Sequence, residues 1–204
     1  MASTSSWRSI TVVVDPQQKA HPALQKAAAL AARCGAGLTL LNTFVLPQPM
    51  ADVARISARE LVSAALRDRR RQLEKLAAGL RRRKLKVKCV VEWDYPQSEA
   101  VVRHVLATRP DLLVAETAHH GRFARWILSN TDWELIRTCP CPLWLVRGGR
   151  LPAKPQLLVA VDPAHGQAVH TRLDARLLQA AGQLVDCIGG TIGIVHVDDP
   201  QASQ

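Results

Sequence analysis

The sequence predicts an α/β protein built on a doubly wound, five-stranded parallel sheet, and three observations lead there. Short, uninterrupted, β-branched runs recur through residues 1–147, as strands buried on both faces require. Segments with helically spaced apolar residues stand between them. The two kinds alternate, and strand–helix alternation gives a parallel sheet covered on both faces, with right-handed crossovers.

SITVVVD, Ser9–Asp15, is the first of these runs. Ala and Leu dominate Pro22–Arg33, where Pro22 suits a first helical turn and Gly35 and Gly37 stop the helix. Leu38–Val45 is a second strand. After the break LPQPM, Ser57 and Glu60 stand three apart as a capping box. Leu61, Ala65, Leu66, Leu73, Leu76 and Leu80 follow at helical spacing, which leaves the arginines of a long helix on its wet face. Leu85–Trp93 is a third strand, Gln97–Ala107 a helix and Leu112–Ala115 a fourth strand. Thr131 and Asp132 suit the cap of a helix running through Arg137, and Pro142–Val146 is the fifth strand.

RGGRLPAKPQ, beginning at Arg147, is a linker by its Gly, Pro and charge. The expected organisation is a domain over 1–147, a linker over 148–156 and an incomplete second repeat over 157–204. LLVAVDP (Leu157–Pro163) echoes TVVVDP (Thr11–Pro16), and CIGGTIGIVHV (Cys187–Val197) echoes CGAGLTLLNTF (Cys34–Phe44). A lone strand–helix–strand unit buries too little surface to stand by itself. Its strands are therefore expected to lean on the first domain or a second chain, or the chain is a fragment of a longer tandem protein.

Composition narrows the classes. The 204 residues include 48% hydrophobic residues, ordinary for a globular core, and a low aromatic share of 4%. No apolar run approaches the roughly 20 residues that span a bilayer, and MASTSSWRSI has no apolar signal core, so a cytoplasmic protein is expected. Five scattered cysteines fit reduced thiols better than a disulfide frame. Cys139-Pro140-Cys141 lacks a second Cys/His pair at zinc spacing and reads as a turn into a strand. A formal charge of +10, with 27 Lys and Arg against 17 Asp and Glu, admits nucleic acid, anionic metabolites or an acidic partner. Much of the excess lies in the Arg69–Arg71 and Arg81–Arg83 runs, which read as solvated helix faces with no aromatic platform beside them. His119 and His120 with His104 or Asp94 lack the fixed spacing of a metal site. Trp126, Trp133 and Trp144 read as packing residues. The nucleophile elbow, the Walker loop and the zinc-protease helix are all missing from the sequence, so no enzyme is expected.

VVVDP at a strand end and the run TDWELIRTCPCPLWLV together resemble the universal stress protein family, and the TDW run is most similar to its tandem-domain E branch. VVEWDYPQSEAVVRHV, DLLVAETAHH and the second VAVDP lie in matching order. The resemblance implies a five-stranded α/β domain with a ligand cleft at the strand carboxyl ends, and association between repeats or as a homodimer. ATP-binding members carry G-x-x-G, nine residues, then G-S or G-T after the fourth strand. Set on the proline-containing turn into the last strand, that pattern places Glu116 and His119 on the first two glycines, Ser129 on the third and Asn130 on the hydroxyl position. All three glycines are missing, and glycines let backbone N–H groups curl around phosphate at positive φ. ATP is thus disfavoured as a cofactor, although His119, His120, Arg122 and Arg125 offer charge to a different anion. Asp15 matches the aspartate that relatives set against the nucleotide base; on its own residues it reads equally as a strand-end cap for the turn at Pro16.

The expected cleft is lined by Asp15, Thr117, His119, His120, Gly121, Arg122, Ser129, Asn130 and Thr131. The function expected is a non-catalytic stress-response protein that binds a small anionic or amphipathic molecule and associates with partners. The alternatives are an ATP-binding member with a degenerate loop and slow hydrolysis, and a basic nucleic-acid-associated protein.

Overall fold

The computed structural model describes residues 7–45, 58–117, 129–162 and 168–196. They divide into two compact units, one spanning Trp7–Arg150 and the other beginning at Leu151.

The first unit is a five-stranded sheet in the order β3-β2-β1-β4-β5, every neighbour parallel. Its strands are β1 (Ser9–Val13), β2 (Gly37–Phe44), β3 (Val87–Trp93), β4 (Leu112–Glu116) and β5 (Leu143–Val146). Its helices are α1 (Pro22–Cys34), α2 (Ala58–Arg82), α3 (Gln97–Thr108) and α4 (Asn130–Thr138). The predicted elements are all present, with ends moved by a few residues; Ser57 of the expected capping box lies outside the described residues.

Central β1 and β4 are apolar on both faces because both faces are covered: Ile10, Val12, Leu113 and Val114 are buried. On α1 the buried set Ala23, Ala27, Leu30 and Ala31 recurs at helical spacing, and its alanines let the helix lie close on the sheet. Gly35 ends α1 in the left-handed region at φ 70, its N–H returning to the Ala31 carbonyl. Asp111 joins the starts of β1 and β4. Its Oδ2 accepts from the Arg8 N–H, the Ser9 N–H and the Ser9 hydroxyl at 2.8, 2.8 and 2.9 Å. Arg81, at the end of α2, donates through Nε and a terminal nitrogen to the Val87 carbonyl at 3.2 and 3.0 Å, and pairs with Glu74 at 2.6 Å. One member of the supposed solvated run therefore ties α2 to β3.

Two packing expectations are corrected. Trp133 is 48% exposed, because α4 presents it on the side opposite the buried Leu135 and Asp132. The cap of α4 is Ser129 rather than Thr131 and Asp132, which sit inside the first turn.

The second unit is β6 (Gln156–Ala160), α5 (Ala168–Ile188) and β7 (Thr191–Val195), with β6 and β7 parallel. It parallels β1-α1-β2 in detail. Gly189 follows its helix at φ 72 as Gly35 does at φ 70. The Val161 N–H donates to the Val195 carbonyl as Val14 does to Leu41. Gly190, at φ +115, stands where a Cβ would lie 2.1 Å from the Pro155 carbonyl oxygen, so no other residue fits.

Candidate functional site

The chain leaves β1 toward β2 on one side and reaches β4 on the other, so connections reverse between β1 and β4. A crevice opens at the carboxyl ends of strands at such a reversal. Here it is a cavity of about 450 Å³ walled by the ends of β1, β2 and β4, by α2 and by the start of α4.

Asp15 lies at the end of β1 and lines the cleft. Its Oδ1 accepts from the Gln17 N–H at 3.0 Å and from a terminal nitrogen of Arg69 at 3.2 Å. Turn cap and cleft wall are thus one residue. Ser129 and Thr131 also line the cavity. Ser129 caps α4 in a reciprocal box: its hydroxyl accepts from the Asp132 N–H at 3.1 Å, and its own N–H donates to the Asp132 carboxylate at 2.9 Å. The N–H groups that a helix start offers an anion are here partly engaged by the chain's own buried carboxylate.

Other expected residues fall elsewhere. Asn130 opens α4 away from the cavity lining. Thr117 is buried and pairs with β5, its N–H 3.0 Å and its hydroxyl 3.4 Å from the Val146 carbonyl oxygen. His119, His120, Gly121 and Arg122 lie outside the described residues, as do Arg125 and Trp126. His104 is buried in α3 with Nδ1 2.9 Å from Glu92, and Asp94 pairs with Arg103. Among the described residues no group of three or more His, Cys, Asp or Glu is placed to hold a metal.

Sequence reasoning missed Arg69, Phe44, Asn42 and His21. Arg69 was expected on a wet face, yet its side chain is only 19% exposed, and its guanidinium lies over the Phe44 ring at 5.2 Å from the centroid. Arg71, two positions on, is exposed, as expected of the run. Phe44 and Asn42 close β2 at the sheet edge where ligands gather, which a reading of strand ends can find. Asn42 is buried; its amide nitrogen donates to the Val14 carbonyl at 2.8 Å, while its Oδ1 has no hydrogen-bond partner among the described residues. Burial pushes the His21 imidazole below its ordinary value, with Asp15 partly opposing, so it is neutral at pH 7.

The described lining therefore carries three carboxylates, Asp15, Glu116 and Asp132, against the single guanidinium of Arg69, already paired. Beside them the lining holds Phe44, buried beneath the Arg69 guanidinium, and the buried acceptor of Asn42.

Sheet order, crossover reversal and cleft define a doubly wound α/β protein with a nucleotide-binding-like fold. A family model described as the universal stress protein family matches residues 6–147, and the chain belongs to that family. Universal stress protein E of Photorhabdus laumondii is 25% identical over 184 residues, 89% of this chain and 59% of the relative. Universal stress protein E of Escherichia coli K12 is 26% identical over 187 residues, 91% of this chain and 59% of the relative. The chain thus spans about three fifths of the length of these relatives.

Two solved structures share the fold. One is a putative universal stress protein from Pseudomonas aeruginosa UCBPP-PA14, with TM-score 0.76 and 24% identity over 98% of this chain and 65% of that one. The other is a functionally unknown protein from Pseudomonas aeruginosa PAO1, with TM-score 0.74 and 24% identity over 95% of this chain and 62% of that one.

Proposed function

We propose that this universal stress protein is a non-catalytic, cytoplasmic binding protein. Its cleft takes a small amphipathic molecule of low charge and lacks the ATP phosphate grip of other members. The observation that carries this reading is the charge of the cleft: Glu116 and Asp132 both line it, and Asp132 already engages the Ser129 N–H. A carboxylate beside a polyanion costs on the order of 1–4 kcal/mol at close range. Arg69 is the one cation of the described lining and is already paired with Asp15, which favours a ligand with a single anionic group or none over a chain of them.

Calorimetric titration with Mg-ATP tests this. No binding in the micromolar range is expected. Micromolar affinity that disappears in Ser129→Ala and Asn130→Ala would establish the ATP-binding alternative instead. Mass spectrometry of the protein as purified, run beside Arg69→Ala, is expected to find a small molecule retained by the first and lost from the second.

The second unit acts in this reading as an incomplete repeat. The parallels between β6-α5-β7 and β1-α1-β2 support it, as do the matching glycines at φ 70 and φ 72. The family resemblance and the exposed Leu158 and Ile194 favour self-association, either between repeats or between chains.

A further inference from the structure

We propose that Cys139 and Cys141, whose sulfurs face each other 3.6 Å apart at the turn from α4 into β5, form a redox-active dithiol that a hydroperoxide converts to a disulfide. The site lies outside the cleft and is independent of the ligand reading.

The turn holds the pair in place. Proline disfavours helical backbone in the residue before it, and Cys139 is accordingly extended, at φ −68 and ψ 121, as the residue that closes α4. Its N–H stays fixed to the Leu135 carbonyl at 3.0 Å. With the backbone fixed on one side and β5 paired to β4 on the other, the sulfurs cannot drift apart by much. A disulfide needs about 2.05 Å, so the sulfurs must approach by roughly 1.5 Å, within reach of side-chain rotation and a small turn adjustment. Both thiols are half-buried, and Thr138 beside them is exposed, so a peroxide-sized molecule can reach the pair.

The two sulfurs are chemically unlike. The hydrogen bond from Cys141 brings the Cys139 thiol down to about 7, against its burial, while the same contact and burial push Cys141 up. Cys89, by contrast, is pushed up to about 11 by burial and by Glu74. Cys139 therefore ionises far more readily than Cys89, and it is the nucleophile of the pair.

The chemistry balances with the peroxide as oxidant. The Cys139 thiolate attacks one peroxide oxygen, the O–O bond breaks, and the hydroxide released takes a proton to become water. Cys141, giving up its proton, then attacks the Cys139 sulfenic sulfur; the S–O bond breaks and a second water leaves. Two thiols and one hydrogen peroxide become one disulfide and two waters, and a dithiol reductant reverses the change.

The bland alternative is that both cysteines are core filler against Leu113, Leu135 and Leu143, in which case they oxidise last. Peptide mapping separates the two. The full chain is treated with equimolar hydrogen peroxide, alkylated and digested with trypsin. The peptide from Thr138 to Arg147 is expected to lose two hydrogens and escape alkylation, with recovery on dithiothreitol. In Cys141→Ser, where the hydroxyl keeps a donor beside Cys139, dimedone is expected to label Cys139 roughly tenfold or more faster than Cys89. The proposal is overturned if that peptide keeps two alkylatable thiols while Cys34, Cys89 or Cys187 is oxidised, or if the bridges formed join different chains. The wild-type mapping decides even if the serine variant does not fold.

Discussion

Glu116 stands at the end of β4 and lines the cleft, and its charge is the simplest quantity to change. Glu116→Gln removes about 1 kcal/mol of close-range repulsion even at a water-like dielectric, so the affinity for Mg-ATP should rise about fivefold or more in a fluorescence titration. An unchanged affinity would mean that charge is not what excludes the nucleotide. His21, at the mouth of the same cleft, carries a pH dependence. Its folded pKa is lowered by burial, so the fold prefers the neutral ring. The unfolded chain then binds more protons on passing below the ordinary 6.5, and stability falls with pH through the lowered folded value. Urea midpoints measured from pH 7 to pH 5 should decline in the wild type and decline less in His21→Asn. Of the residues that shape this cleft, Asp15 and Ser129 were legible because motifs and strand ends point to them. Arg69 was not, since nothing in a run of three arginines says which one turns inward.

At the level of elements, the strands and helices were legible nearly to their ends, because burial on both faces writes an apolar run and burial on one face writes helical spacing. Contacts that fix one element to another were not. Asp111 sits between α3 and β4 in an unremarkable segment, yet its carboxylate holds the first residues of β1 through three hydrogen bonds. Asp111→Ala should cost about 1–3 kcal/mol, read as a lower denaturation midpoint with unchanged m-value. Two glycines make a contrast. Gly35→Ala meets open space and suffers only its left-handed backbone, a cost of about 1–2 kcal/mol. Gly190→Ala adds a collision with the Pro155 carbonyl. It should open the β6–β7 pairing, seen as faster amide exchange at Leu158 and Ala160, while β1 to β5 exchange as before.

Across the whole molecule, the two units differ in what they bury. The first encloses β1, β2 and β4 between helices, whereas the second leaves Leu158 72% and Ile194 62% exposed on its two strands. A fragment covering residues 7–150 should therefore unfold cooperatively. A fragment from residue 151 onward should be digested rapidly in limited proteolysis; resistance to cleavage as a monomer would show that the second unit is self-sufficient. The alternation of apolar runs and helical spacing determined the parallel sheet, the chain order of its elements and the echo of its opening segment after residue 156. Tertiary structure decided which groups meet: Arg69 with Asp15, 54 positions apart, Asp111 with Ser9, 102 positions apart, and the Asn42 amide with the Val14 carbonyl. Periodicity records whether a residue faces the core, and only the crossing of elements brought from distant parts of the chain selects its partner.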